Sequence, residues 1–148
     1  MDSRKTIAIL LLLAAWGLVS DLAQAGESWK YGNPLTTVSL GRTQVLAEVV
    51  STPEKTYLGL GQRPGLPEGR GMLFAMPCRQ VQVFCMRDMQ FALDFIWLRD
   101  GKVMGLAKNI SPEFQGEIVS PAPVDHVLEV PAGFCDRHGI KVGDKASW

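Results

Sequence analysis

A mainly β domain of α+β type, either an antiparallel β-sandwich or a partly closed barrel with two short helices, follows from three features of the sequence. Short apolar, β-branched runs recur along the chain, the connections between them are short and rich in turn residues, and only two segments carry helix-start signals. Thr36–Leu40 and Gln44–Ser51 read as strands joined through Gly41-Arg42, a pair suited to a tight hairpin. Glu48 lies between Ala47 and Val49, which reads as one solvent-facing side of the second strand.

Thr52-Pro53-Glu54 starts the first helix: Thr52 caps, Pro53 fits the first helical position and Glu54 suits the positive end of the dipole. Gly59 and Gly61 keep that helix short, since each costs about 1 kcal/mol against Ala in a helix interior. Further strands are expected over Gly71–Met76, Val81–Met86 and Asp94–Arg99. Phe95-Ile96-Trp97-Leu98 does not alternate, so both of its faces should be covered. Asp100-Gly101 turns the chain into Lys102–Ile110, and Ser111–Pro123 reads as a loop. His126–Val130 is a strand, Pro131-Ala132-Gly133 leads into the second helix, and Gly143-Asp144 turns the chain toward its last residues.

Residues 1–25 read as a secretory signal peptide: Arg4 and Lys5, an apolar run from Ile7 to Val19, and the small-x-small site Ala23-Gln24-Ala25. The apolar run falls short of the roughly 20 residues that a spanning helix needs. Residues 26–35 form a flexible leader and 36–148 the domain. The chain is expected to be exported, periplasmic or extracellular, with no stable membrane span after cleavage. From Gly26 onward it carries 13 acids and 13 bases, a balance that argues against nucleic acid as a partner. Three cysteines in an oxidising compartment make one disulfide plausible, and Cys78 with Cys135, both beside Pro/Gly-rich loops, is the pair taken. Cys85, within an apolar run, reads as a small buried hydrophobe.

The densest functional signal is Gly71–Gly101, where Arg87, Asp88 and Asp94 stand among apolar runs. A buried charge needs a partner, so these residues either fix a ligand at a pocket mouth or hold a bend between strands, with Asp94 accepting backbone N–H groups and Arg87 pairing with it. Arg63 follows the first helix and is a candidate to join the cluster, or else a cation favoured by the helix C-terminus. The candidate ligand-binding set is Arg63, Met86, Arg87, Asp88, Asp94 and Trp97. His126 and His138 fit no zinc spacing, the methionines form no dense tract, and no nucleophile elbow or phosphate loop occurs, so no metal, cofactor or catalytic residue is assigned.

The motifs resemble those of the DUF192 (UPF0127) family. Its helix pattern ending in G-L-M-x-R corresponds to Gly59-Leu60-Gly61-Gln62-Arg63, and its G-M-L-F to Gly71-Met72-Leu73-Phe74. Its F-W-M-K-N-T-x-x-P-L-D corresponds to Phe84 through Asp94, and its later V-L-E-L-x-A-G and G-D to Val127–Gly133 and Gly143-Asp144. Gly61, Cys85, Asp88, Met89 and Ala92 depart from the pattern, which has Met, Trp, Asn, Thr and Pro there. The resemblance implies a compact, mainly β, often exported domain and no established activity. The functional expectation is an exported non-catalytic domain that binds a small ligand or an envelope protein. The alternative is a cell-wall or polysaccharide hydrolase using Asp94 and Asp88.

Overall fold

The alternating apolar runs assemble into one curled sheet with a small second sheet against its outer face. The computed structural model describes residues 31–148; the signal peptide expected over residues 1–25 and most of the leader expected over 26–35 lie outside the described residues. The strands are β1 (Leu35–Leu40), β2 (Thr43–Val50), β3 (Arg70–Gln80), β4 (Val83–Phe84), β5 (Leu93–Arg99), β6 (Lys102–Ile110), β7 (Ile118–Val119), β8 (Val124–Pro131) and β9 (Ala146–Ser147). The helices are α1 (Pro53–Leu58) and α2 (Phe134–Arg137). Seven strands form the main sheet in the order β6-β5-β8-β3-β2-β1-β9, and β4 pairs with β7. None of the helices is long and apolar enough to cross a membrane among the described residues.

Local signals set most of these elements. Thr52 Oγ1 accepts from Lys55 N–H at 3.4 Å and Pro53 opens α1, as the capping signal requires. Asp100 and Gly101 both take positive φ (50° and 67°), the turn that suits the twist of the β5–β6 hairpin. The strand neighbours are antiparallel, as expected, with one exception. β2 and β3 run parallel, because α1 and its following turn carry the chain back across the sheet before β3 begins. The expected strand over Val81–Met86 shrinks to β4, and the expected loop Ser111–Pro123 contains β7. These two-residue strands pair only with each other and are held by Gln82, whose amide donates to Cys78 O and Val124 O while its backbone N–H bonds Ser120 Oγ.

The sheet is a half-barrel whose two edges meet at one corner. β9 pairs with β1, and the segment before it runs along the start of β6: Val103 N–H to Asp144 O at 2.9 Å, Gly143 N–H to Val103 O at 2.8 Å and Ala146 N–H to Gly101 O at 2.8 Å. Residue parity then divides the side chains. Val38, Val45, Leu73, Ile96, Leu128 and Phe134 fill the inner face. Met72, Phe74, Leu93, Phe95, Trp97 and Val127 lie on the outer face, covered by Leu60, Met86 and Ile118. β5 is buried on both faces, as its unbroken apolar run requires.

Asp94 belongs to the inner face and is fully buried. The β5–β6 register slips opposite it, between the pairs Leu93↔Ile110 and Phe95↔Ala107, which leaves Asn109 out of the ladder. The Asp94 carboxylate takes over: Oδ1 accepts from Asn109 N–H at 2.7 Å and Gly133 N–H at 3.1 Å, and Oδ2 from Cys135 N–H at 2.9 Å. Asn109 and Gly133 both have positive φ, so two left-handed turns aim their amides at one carboxylate. Arg87 takes no part in this, contrary to the pairing expected for it.

The expected Cys78–Cys135 disulfide is not formed. All three thiols are free, with Cys78 and Cys85 exposed and Cys135 buried. Cys78 lies on β3 beyond Ala75, which faces His126 near the start of β8, whereas Cys135 follows the end of β8. Most of the length of β8 separates the two, about 20 Å at ~3.3 Å per residue, against a limit of about 7 Å between bridged Cα atoms. Cys85 is exposed rather than buried because the chain leaves β4 just before it.

Asp94→Asn keeps the shape but replaces one acceptor oxygen by an amide NH2, a donor that faces a backbone N–H. It should lower unfolding stability by roughly 2–4 kcal/mol, read as a lower urea midpoint with an unchanged slope. An unchanged midpoint would deny Asp94 its part in tying β5, β6 and α2 together.

Candidate functional site

The register places two acids on one row of the outer face. Glu48 on β2 lies beside Met72 on β3, Met72 beside Glu129 on β8, and Glu129 beside Phe95 on β5. Neither acid faces solvent: Glu48 is 6% exposed and Glu129 5%. The wet face expected at Glu48 is therefore corrected; the turn after α1 covers it. That turn buries Leu60 and brings Arg63 back over the row. The Arg63 guanidinium donates to both Glu48 oxygens, Nη1 to Oε1 at 2.6 Å and Nη2 to Oε2 at 3.0 Å. This fork-to-carboxylate geometry is the strongest way to hold a buried charge pair.

Glu129 has no such relief. No group among the described residues hydrogen-bonds its carboxyl. Burial pushes its pKa from 4.5 up to about 8, with the Arg63 charge pulling only partly against it. At neutral pH it is a protonated acid, able to donate one hydrogen bond and accept others.

The Glu129 side chain reaches a cleft of about 230 Å³. Phe74, Met76, Phe84 and Leu93 make its apolar wall, α1 and the Gly59–Gly61 turn form one side, and Cys85, Arg87 and Met89 the other. Phe84 anchors the wall: its ring packs edge-on against Phe74 at 5.1 Å, Phe95 at 5.8 Å and Trp97 at 5.7 Å. At the rim the Arg87 guanidinium lies 4.2 Å from the centre of the Tyr57 ring. Gln62 N–H donates to Asp88 O at 2.8 Å, clipping the α1 turn to the β4–β5 loop.

The six residues singled out from the sequence do not converge. Arg63 is bound to Glu48 and does not line the cleft, whereas Arg87 lines its rim. Trp97 is buried in the outer-face core, and Met86 is buried beside a shallow depression that exposed Asp88 also lines. Asp88 has φ 59°, a conformation that Asp and Asn tolerate better than most residues. Asp94 points into the opposite face, one residue out of phase with Leu93, Phe95 and Trp97. Gly61 and Cys85, smaller than the Met and Trp of the family pattern, both line the cleft. Glu129 is not among those six, although a lone acid inside the apolar Val127-Leu128-Glu129-Val130 run is the same signal that Asp94 gives.

Comparison with known proteins agrees with this architecture. Residues 36–148 match the model of DUF192, described as an uncharacterised ACR. A crystal structure of a protein of unknown function from Novosphingobium aromaticivorans DSM 12444 superposes with a TM-score of 0.76 at 30% identity, covering 79% of this chain and 87% of that one. Another, from Sinorhizobium meliloti 1021 and described as a candidate transcription regulator, gives 0.74 at 26% identity, with 78% and 94% covered. No curated protein matches the chain.

The buried acid makes stability depend on pH in a defined direction. Below pH 4.5 Glu129 is protonated whether the chain is folded or not; between 4.5 and about 8 only the unfolded chain releases the proton, so stability falls as pH rises. The charged and titratable groups around it are Glu48 and Arg63, Arg70 on the same face of β3, and Arg87 and Cys85 across the cleft. Glu129→Gln should flatten that fall. Its stability gain over wild type should grow between pH 5 and pH 8 toward an upper limit of about 5 kcal/mol, at ~1.4 kcal/mol per pH unit. Parallel urea titrations at the two pH values read this, and a pH-independent difference would contradict it.

Proposed function

The chain belongs to the DUF192 family, and from that premise we propose that it is an exported, non-catalytic module that binds a small molecule in the cleft above Glu129. The observation that carries the reading is Glu129: the residue is buried, its carboxyl has no hydrogen-bond partner among the described residues, and it lines an open cleft. An unsatisfied buried acid costs several kcal/mol, and such groups concentrate at sites where a ligand supplies the missing partner. The volume falls below the roughly 300–1,000 Å³ of drug-sized sites, which suits a small ligand.

The hydrolase alternative lacks support, since Asp94 is sealed against backbone amides on the inner face while Asp88 is exposed on a loop. A protein partner is a second reading, favoured by Tyr57, Leu58 and Val83, which are more than half exposed around the cleft rim. Transcription regulation, the description of the Sinorhizobium relative, is not carried over. Acids and bases balance in number, and Arg79, Arg99, Lys108 and Arg137 already pair with carboxylates. Export rests on the signal-peptide pattern of residues 1–25.

Two exposed cysteines give a direct test. Cys85 lines the cleft and Cys78 does not. In a panel of small alcohols, sugars, amides and carboxylic acids, a true ligand should slow iodoacetamide alkylation of Cys85 while leaving Cys78 unchanged, read by peptide mass spectrometry. It should also raise stability by about 2.7 kcal/mol at 100 times its dissociation constant. Cys85→Trp, which fills the cleft, should abolish the stabilisation. A panel with no stabilising compound and no protection of Cys85 refutes the small-molecule reading. If that panel fails while chemical crosslinking in cells captures a partner through the Tyr57 rim, the second reading gains. Amino-terminal sequencing of the protein from the exported fraction should begin at Gly26, and retention of an intact amino terminus in the cytoplasm contradicts export.

A further inference from the structure

The cleft is polarised from floor to rim. At the floor stands Glu129, which below about pH 8 offers an O–H and a carbonyl oxygen. The middle is apolar, built from Phe74, Phe84, Met76 and Leu93. At the rim is a cation. Arg87 is exposed and has no carboxylate partner among the described residues, unlike Arg63, Arg79, Arg99 and Arg137, each of which has one. Its guanidinium is held over the Tyr57 ring. The ring contact consumes none of its N–H donors, and those donors can match a carboxylate bidentately.

These three zones select a ligand. A cationic group would meet Arg87 on entry, and deep in the cleft it would find a protonated acid rather than a counter-ion. A carboxylate at the floor would be desolvated beside a guanidinium already committed to Glu48. A carboxylate at the rim meets Arg87 in a partly solvated setting, where the pairing is least costly. We propose that the ligand is a small carboxylic acid with an apolar body and an uncharged distal hydroxyl or carbonyl. The body lies against Phe74 and Phe84, the distal group hydrogen-bonds Glu129, and the carboxylate pairs with Arg87. This ligand class rests on the cleft being a binding site.

Matched sets of probes on one body test it. Calorimetry of the purified protein at pH 7 compares 4-hydroxyphenylacetate with 4-hydroxyphenylethanol and tyramine, which replace the carboxylate by a hydroxyl and an ammonium. Phenylacetate, which lacks the distal hydroxyl, completes the set, and 6-hydroxyhexanoate, 1,6-hexanediol and 6-aminohexanol repeat the comparison on an aliphatic body. In at least one set the acid should bind tenfold or more tightly than the alcohol, with the amine weakest, and loss of the distal hydroxyl should cost a similar factor. Arg87→Gln should bring acid and alcohol to the same affinity with an unchanged melting temperature, while Arg42→Gln, at a distant turn, leaves the preference intact. An alcohol or amine that binds as well as its acid overturns the ligand class and leaves the cleft standing as a site. Absence of binding by every probe also overturns the class, and the Cys85 protection panel decides separately whether the cleft binds anything.

Discussion

Both faces of the curled sheet are covered, and each charged side chain that leaves its central strands must therefore be satisfied away from water. Three carboxylates meet this constraint in three ways. Asp94 on the inner face collects three backbone N–H groups. Glu48 on the outer face receives both arms of one guanidinium. Glu129, on the same row as Glu48, receives neither and keeps its proton. The cost of an unpaired charge is high enough that the differences between these solutions dictate much of the surrounding architecture. The bulge on β6, the left-handed turns at Asn109 and Gly133, and the path of the chain after α1 all serve one carboxylate or another.

The two sheet faces divide structural from functional chemistry. Asp94 links β5, the end of β6 and the start of α2, and these contacts leave its oxygens no free approach. The outer face is covered by pieces rather than by a second full sheet: the small β4–β7 pair, the α1 turn and the β4–β5 loop. Where the pieces meet, coverage fails, and the failure lies over Glu129. The α1 turn passes this point as Gly59-Leu60-Gly61, with Leu60 buried in the core and the glycines contributing no side chain to fill the gap. A tryptophan at Cys85 would occupy space that is open here, whereas a Cβ at Gly61 would come within 2.9 Å of Leu58 O, so glycine is what lets the turn pass this close.

Much of the fold was legible from local chemistry. The β1–β2 and β5–β6 hairpins, the cap and proline of α1 and the two-sided burial of β5 each rest on a few adjacent residues, and each stands in the structure. The parallel β2–β3 pair was not legible, because direction depends on where the crossover lands rather than on any residue in it. β7 hid within a stretch that holds three prolines, and two residues are too few to show an alternating pattern. The site was partly legible. Arg63 and Arg87 were named, but their assembly with Asp94 ignored the two-residue period. Leu93, Phe95 and Trp97 share a face, so Asp94 between them must point the other way. Glu48 was misread because alternation between apolar residues looks the same whether the polar side meets water or a guanidinium from a distant turn.

That last ambiguity explains how a chain can carry a site without any catalytic motif. Local sequence reports that a charge interrupts an apolar run; what answers the charge comes from elsewhere, and only the assembled sheet shows whether anything does. For Asp94 and Glu48 the answer is within the domain. For Glu129 the neighbouring row position is occupied by the Met72 side chain, and the nearest cation is already held by Glu48. The apolar wall at Phe74 and Phe84 excludes water from one side of the carboxyl without offering it a donor or acceptor. The remaining direction opens toward Arg87 at the rim. A group entering from there can remove the cost that the fold leaves on Glu129, and the energy for holding it comes from the same burial that keeps the acid protonated.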